Sequence, residues 1–152
     1  MKILYLSTNN MCRSIIAESI TRKHEISDIK AMSGGSHPGD DIHPVAHRIL
    51  KDNHYSSVNL VSKSWDSFAS WQPDIVITLC DKVLKQKCPA YVGEAVHVHW
   101  SLPDPATQLG NMEENFINVF KTLEKRVNKI FEINIENMDK TELRVHLKKG
   151  LE

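Results

Sequence analysis

Residues 2–14 read KILYLSTNNMCRS, an apolar run followed by a polar loop and an arginine. Residues 3–6 carry only aliphatic and aromatic side chains, which is typical of a strand buried on both faces of a parallel sheet. Isoleucines at helical spacing follow Arg13, so the loop joins a strand to the start of a helix. The backbone N–H groups of such a loop, together with a guanidinium, bind a tetrahedral dianion. The predicted oxyanion-binding residues are Ser7, Thr8, Asn9, Asn10, Met11, Cys12 and Arg13.

Strand and helix signals alternate along the rest of the chain. Strands are predicted at residues 3–6, 29–33, 74–79 and 95–100, and helices at residues 14–24, 43–53 and 111–131. Gly34-Gly35 is interpreted as a turn after the second strand. This alternation predicts an α/β fold, a three-layer α/β/α sandwich around a four-stranded parallel sheet. Ligands of such folds bind at the carboxyl ends of the strands, where residues 7–13 fall.

A short helix is predicted near the C-terminus, at residues 139–149. Asp139 and Glu142 have the spacing of a capping box, Met138 can pack on Leu143, and Gly150 suits a helix end. We therefore divide the chain into a domain of residues 1–134 and a helical extension of residues 135–152.

Composition narrows the function classes. The chain has 152 residues, of which 41% are hydrophobic, enough for one well-buried core. Its 19 basic and 19 acidic residues give a net charge of zero, so no basic field for nucleic acid or for a membrane surface is expected. No apolar run approaches the about 18 residues of a membrane span, and the start does not resemble a signal peptide, so we expect a cytoplasmic protein. Three cysteines indicate thiol chemistry or burial rather than a disulfide scaffold.

A second group of reactive residues follows the third predicted strand. Cys80 ends that strand and is expected at the same sheet edge as Ser7. Seven residues separate Cys80 from Cys88, and an Asp104-Pro105-Ala106 segment follows the fourth strand. From its position alone, Asp104 can simply be a turn residue before proline.

Over roughly residues 1–131, this order of motifs resembles the thioredoxin-coupled arsenate reductases of the low-molecular-weight tyrosine phosphatase superfamily. In that superfamily the loop reads Cys, five residues, Arg, then Ser or Thr. Here Ser7 occupies the first position, whereas Arg13 and Ser14 fit the pattern. The cysteine pair separates the reductases from plain phosphatases, which share the loop and the Asp-Pro.

The resemblance implies a role for each matching residue. The residue at position 7 attacks arsenic, Arg13 holds the oxyanion, and Ser14 stabilises the attacking thiolate. Asp104 protonates the leaving oxygen. Cys80 then attacks the position-7 sulfur and releases arsenite, and Cys88 resolves that bond into a Cys80–Cys88 disulfide. The implied ligands are arsenate, phosphate or sulfate, the implied reductant is thioredoxin, and no cofactor is implied.

Ser7 alters these expectations. A cysteine in such a loop has its pKa lowered from about 8.5 to about 3.5–7.5. A serine hydroxyl stays protonated there and needs an adjacent base, and the sequence places none of the eight histidines beside Ser7. The chain is therefore expected to bind the anion and to turn over poorly. Ser7 is either a deliberate Cys-to-Ser change or the mark of a natural anion binder.

Three alternatives remain open at this stage. The chain can instead be a phosphatase-like hydrolase, or its inactive anion-binding descendant, in which the cysteine pair is incidental. Zinc binding by Cys80, Cys88, His97 and His99 competes with the redox role, but the usual ligand gap is only about two to four residues, so no metal site is assigned. In some relatives, residues matching Asn10, Glu18 and Ser33 hold potassium together with an aspartate, which Asp66 matches only with a one-residue shift.

The remaining cysteine and histidines are assigned structural or surface positions. Cys12 is predicted to pack beneath the loop as a small apolar side chain. The other histidines are predicted to face solvent: His24, His37, His43, His47, His54 and His146.

Overall fold

The computed structural model describes residues 1–24 and 28–151. Its sheet has four parallel strands in the order β2-β1-β3-β4, so β1 lies in the interior with a neighbour on each side. The strands are β1 (Lys2–Ser7), β2 (Lys30–Gly35), β3 (Ile75–Thr78) and β4 (Val96–His99). The predicted four-stranded parallel sheet is confirmed.

Helices cover both faces of the sheet. They are α1 (Arg13–Arg22), α2 (Pro44–Asp52), α3 (Asp81–Leu84), α4 (Ala90–Glu94), α5 (Met112–Ile130) and α6 (Lys140–Lys149), with a short 3-10 helix at Trp65–Phe68. Successive side chains of β1 point to opposite faces: Ile3 and Tyr5 join the core under α1 and α5, and Leu4 joins the smaller core under the 3-10 helix and α4. The three-layer α/β/α prediction is thus confirmed.

The interpretation of Gly34-Gly35 as a turn is wrong, because both glycines are the last residues of β2. Leu6 pairs with Gly34 and Ser7 with Gly35 in the parallel register. A Cβ at Gly35 would lie 2.6 Å from the carbonyl oxygen of Thr8. The glycine is therefore required by the close passage of the following loop and not by a change of chain direction.

The predicted C-terminal helix is present as α6. Asp139 accepts a hydrogen bond from the Glu142 N–H at 2.9 Å, and the Glu142 side chain accepts one from the Asp139 N–H at 2.9 Å, which completes the capping box. Leu147 is buried, and its carbonyl accepts a hydrogen bond from the Trp100 indole at 3.1 Å, so α6 packs at the end of β4. No helix among residues 1–24 and 28–151 is long and apolar enough to cross a membrane.

The histidine prediction is half correct. His37, His47 and His54 are exposed. His24 and His43 are half-buried because their rings pack on Phe131 and Phe116, with centroids 4.3 Å and 4.8 Å apart. The half-buried ring of His146 has its Nε2 3.2 Å from the carbonyl oxygen of Ile130.

Candidate oxyanion-binding site

The loop between β1 and α1 presents free backbone donors. No backbone N–H of residues 8, 9, 11, 12 or 13 donates to a protein acceptor within the described parts of the chain. Cys12, the residue before α1, provides no side-chain cap for the helix N-terminus. These amides are therefore available to a ligand rather than used by the fold, as anion binding requires.

Asn10 fixes the conformation of this loop. Its φ is 50°, in the left-handed region that few non-glycine residues occupy. Its backbone N–H donates to Ser7 Oγ at 3.2 Å, and its side-chain N–H donates to Ser14 Oγ at 2.7 Å. Its side-chain oxygen accepts from the Lys63 N–H at 2.9 Å. Because Asn10 is fully buried and every one of these groups is bonded, the loop has little freedom to change shape.

Ser7 is buried at the bottom of the loop. It is 1% exposed, and its Oγ lies 2.7 Å from Ser14 Oγ. Its other partner is the Asn10 N–H, so both neighbours are neutral hydrogen-bonding groups. Among residues 1–24 and 28–151, no histidine or carboxylate hydrogen-bonds to Ser7 Oγ.

Arg13 and Asp104 face one another across the site. Arg13 is 6% exposed, and its Nη1 donates to the carbonyl oxygen of Leu102 at 3.0 Å. Its Nη2 lies 3.9 Å from Asp104 Oδ2. The other oxygen of Asp104 accepts from the Ala106 N–H at 3.0 Å, which is a turn contact. Asp104 therefore stabilises its turn and also lies at the site.

A cleft of about 250 Å³ opens over the loop. Its lining residues are Thr8, Asn9, Arg13, Cys80, Asp81, Lys82, Asp104 and Thr107. None of them is aromatic, so the walls suit a small hydrated anion better than a planar ring.

Cys80 contacts the loop directly. Thr8 Oγ1 lies 3.2 Å from Cys80 Sγ, which confirms that the end of β3 and the loop after β1 meet at one sheet edge. Cys88 is half-buried beside the same small core, and its thiol donates to the Val83 carbonyl at 3.6 Å. Burial raises the pKa of the Cys88 thiol. Both thiols are free, and α3 starts immediately after Cys80.

Cys12 lies where the sequence predicted, packed beneath the loop and 3% exposed. Burial, assisted by the charge of Asp104, raises the pKa of its thiol to about 12. Cys12 therefore stays protonated and is not a candidate nucleophile.

A hydrogen-bonded chain at the ends of β3 and β4 was not anticipated from the sequence. Thr78 Oγ1 lies 3.0 Å from His97 Nε2 and 2.7 Å from His99 Nδ1. His99 Nε2 lies 2.8 Å from Asp81 Oδ1, and Ser101 Oγ donates to the same oxygen at 2.8 Å. These hydrogen bonds, that of His99 first, lower the pKa of Asp81.

The alternative zinc site is not formed. Within residues 1–24 and 28–151, no three His, Cys, Asp or Glu side chains are grouped so that they could hold a metal ion. His97 and His99 share Thr78 instead, and the cysteines face the loop and the small core.

Of the residues matching the potassium ligands of some relatives, Glu18 and Ser33 are in contact, whereas Asp66 does not contact Glu18. Glu18 is fully buried in α1, and its Oε2 accepts from Ser33 Oγ at 3.2 Å. Its Oε1 lies 3.2 Å from Arg22 Nη2 and 3.7 Å from Lys63 Nζ, so side-chain cations of the protein occupy its other oxygen. Asp66 is exposed and is not a partner of Glu18. Burial raises the pKa of Glu18, opposed first by Lys63 and then by Arg22.

Comparison with known protein families shows which family the chain belongs to. The model of the low molecular weight phosphotyrosine protein phosphatase family matches residues 2–143. The chain belongs to this family. As a family member it is similar to the arsenate reductase of Bacillus subtilis strain 168, with 32% identity over 116 residues, 76% of this chain and 82% of the relative.

Solved structures of the family share the fold. One of an arsenate reductase in the phosphate binding state has a TM-score of 0.71 and 24% identity, covering 84% of this chain and 93% of the other. The tyrosine phosphatase Wzb from Escherichia coli, in complex with sulphate, has a TM-score of 0.69 and 24% identity over the same shares of the two chains. The fold is therefore shared with a solved arsenate reductase and with a solved tyrosine phosphatase.

Proposed function

We propose that this chain is an arsenate reductase-type oxidoreductase of the family whose turnover is low because Ser7 stands in place of the attacking cysteine. Its loop, residues 7–13, binds arsenate, phosphate or sulfate. The contact of 3.2 Å between Thr8 Oγ1 and Cys80 Sγ carries the proposal, because it puts a thiol at the edge of the anion loop. A phosphatase needs no thiol in that position.

The proposed reaction uses the anion loop together with Cys80, Cys88 and Asp104. With cysteine at position 7, its thiolate attacks arsenic and Asp104 gives a proton to the departing oxygen, which leaves as water. Cys80 then attacks the position-7 sulfur, the electron pair of the S–As bond reduces arsenic, and arsenite leaves. Cys88 attacks Cys80, displaces the position-7 sulfur as a thiolate and forms the Cys80–Cys88 disulfide, which thioredoxin reduces by a further exchange. A disulfide that cycles in this way needs a reducing compartment, as the proposed cytoplasmic location provides.

The second candidate is a phosphatase-like hydrolase. Arg13 within 3.9 Å of Asp104 is an arrangement that serves phosphoryl transfer equally well, with the arginine on the anion and the acid on the leaving group. The absence of aromatic residues among those lining the cleft disfavours an aryl phosphate.

Anion titration tests the first part of the proposal. Phosphate, sulfate or arsenate should shift the NMR signals of the loop amides saturably, because these donors do not depend on sulfur. Arg13→Lys should weaken anion binding at least about tenfold, because the ammonium of lysine cannot form the bidentate hydrogen bonds that a guanidinium forms with an oxyanion. Arg48→Lys is the matched control, since Arg48 is exposed and pairs with Glu113 at 2.9 Å. If no anion moves the loop amides of the parent chain, the oxyanion site is wrong.

Mild oxidation tests the thiol pair. It should produce an intramolecular Cys80–Cys88 bridge with a mass loss of about 2 Da that thioredoxin reverses. Cys88→Ser should abolish the bridge, whereas Cys12→Ser should leave it unchanged. Thiols that stay free under oxidant, or that pair only between molecules, would contradict the reductase assignment.

A further inference from the structure

Lys63 contacts both the buried carboxylate of Glu18 in α1 and the oxyanion loop, residues 7–13. Glu18 lies one helical turn after Ser14, and its carboxylate is 0% exposed. A carboxylate in that position is costly unless positive groups and donors surround it. Arg22 of the same helix provides one positive charge, and Lys63 reaches in from another segment to provide the second.

The Lys63 side chain is held in place rather than left in water. It is 18% exposed, and its Nζ donates to the Val61 carbonyl at 3.0 Å while facing Glu18 at 3.7 Å. A lysine loses hydration and rotamer entropy in such a position, and the ion pair with Glu18 offsets this cost. The ion pair therefore keeps the segment that carries Lys63 ordered.

The backbone of the same segment supports the loop. The Lys63 N–H donates to Asn10 Oδ1 at 2.9 Å, and the Lys63 carbonyl accepts from the Gly35 N–H at 2.9 Å. Ser62 Oγ donates to the Asn9 carbonyl at 3.0 Å. The segment at residues 62–63 therefore holds two consecutive loop residues, one of which is Asn10 with its left-handed φ.

We infer that Lys63 is a positioning residue of the oxyanion loop: its ammonium is the built-in counter-cation of Glu18, and this pairing holds the backbone donor that fixes Asn10. The amides of residues 9 and 11 flank Asn10, so their direction toward a bound anion depends on Lys63. The inference rests on the proposed oxyanion binding and assigns to Lys63 a role beyond charge balance. It predicts that anion affinity, and not only stability, falls when the ammonium is removed.

The test compares Lys63→Met with Lys51→Met. Lys51 is an exposed lysine of α2, so its variant loses the same net charge without disturbing the loop. At constant ionic strength, Lys63→Met should bind arsenate about tenfold more weakly, the loss expected when one donor to a charged ligand is misplaced. Added ammonium chloride should recover part of that affinity, whereas tetramethylammonium, which is bulkier and has no N–H donor for Glu18, should not. Equal arsenate affinity in the two methionine variants would overturn the inference.

A second measurement does not require a bound anion. In Lys63→Met, hydrogen exchange at the residue-63 amide should speed up and the Asn10 side-chain amide signals should shift. If the parent chain fails to bind arsenate while these signals still respond, the proposed function falls and the positioning role stands. If Lys63→Met does not fold, the double variant Glu18→Gln with Lys63→Gln removes both charges of the pair and leaves only the partly exposed Arg22 without its carboxylate partner. It should show the same faster exchange. Parent-like exchange in these variants would exclude the role.

Discussion

Among single residues, Gly35 sets how closely the anion loop can approach the sheet. A Cβ at this position would meet Thr8 O at 2.6 Å and the Asn10 backbone nitrogen at 3.0 Å. Two consecutive glycines are a common turn signal, and nothing local to them distinguishes a turn from a strand that another segment crosses. The loop that crosses Gly35 lies more than twenty residues upstream, so its close contact with Gly35 could not be predicted from the sequence.

Gly35→Ala should therefore damage both folding and binding. The methyl group forces the loop away from β2, so we expect the free energy of unfolding to fall by about 1–3 kcal/mol and anion affinity to fall with it. Gly93→Ala is the matched control, because a Cβ there meets no atom within 4 Å. Urea unfolding and phosphate titration of both variants check this. A Gly35→Ala protein with parent-like anion affinity would show that the loop does not depend on this close approach.

At the level of elements, the ends of β3 and β4 form one hydrogen-bonded unit around Thr78. His97 is half-buried there, and burial, reinforced by the charge of His99, lowers its pKa. In the unfolded chain His97 takes up a proton near its ordinary pKa of about 6.5, whereas in the folded chain it does so only at lower pH. The stabilisation that neutral His97 contributes to the folded state is therefore fully present above about pH 6.5. It is lost as the pH falls toward the lower pKa that His97 has in the folded chain.

His97→Gln should flatten this pH dependence. Glutamine keeps a polar group near Thr78 but does not titrate, so the fall in unfolding free energy between about pH 7.5 and about pH 5.5 should become smaller. His47→Gln, at an exposed position of α2, should retain the parent slope. Urea unfolding of the parent and both variants at the two pH values measures this difference. An unchanged pH dependence of the unfolding free energy in His97→Gln would show that His97 does not contribute to the acid sensitivity of the protein.

In the whole molecule, the parallel topology brings the loop after β1 and Cys80, which follows β3, to the same edge of the sheet. The strands, the longer helices and the α6 capping box were predictable because apolar periodicity and end signals are local. Lys63 beside Glu18 and Asp81 beside His99 were not, because these pairs join segments 45 and 18 residues apart in positions that only the packed sheet defines. The strand-loop-helix order of β1, residues 8–12 and α1 was predictable because these segments are contiguous.

Ser7→Cys tests most directly whether this edge is a reductase site. The variant should oxidise reduced thioredoxin in an arsenate-dependent way, at least about a hundredfold faster than the parent chain, because a thiolate then replaces a protonated hydroxyl. Adding Cys80→Ser should abolish that activity while leaving arsenate binding intact. A Ser7→Cys protein that hydrolyses an aryl phosphate freely but never reduces arsenate would contradict the reductase assignment and place the chain with the phosphatases.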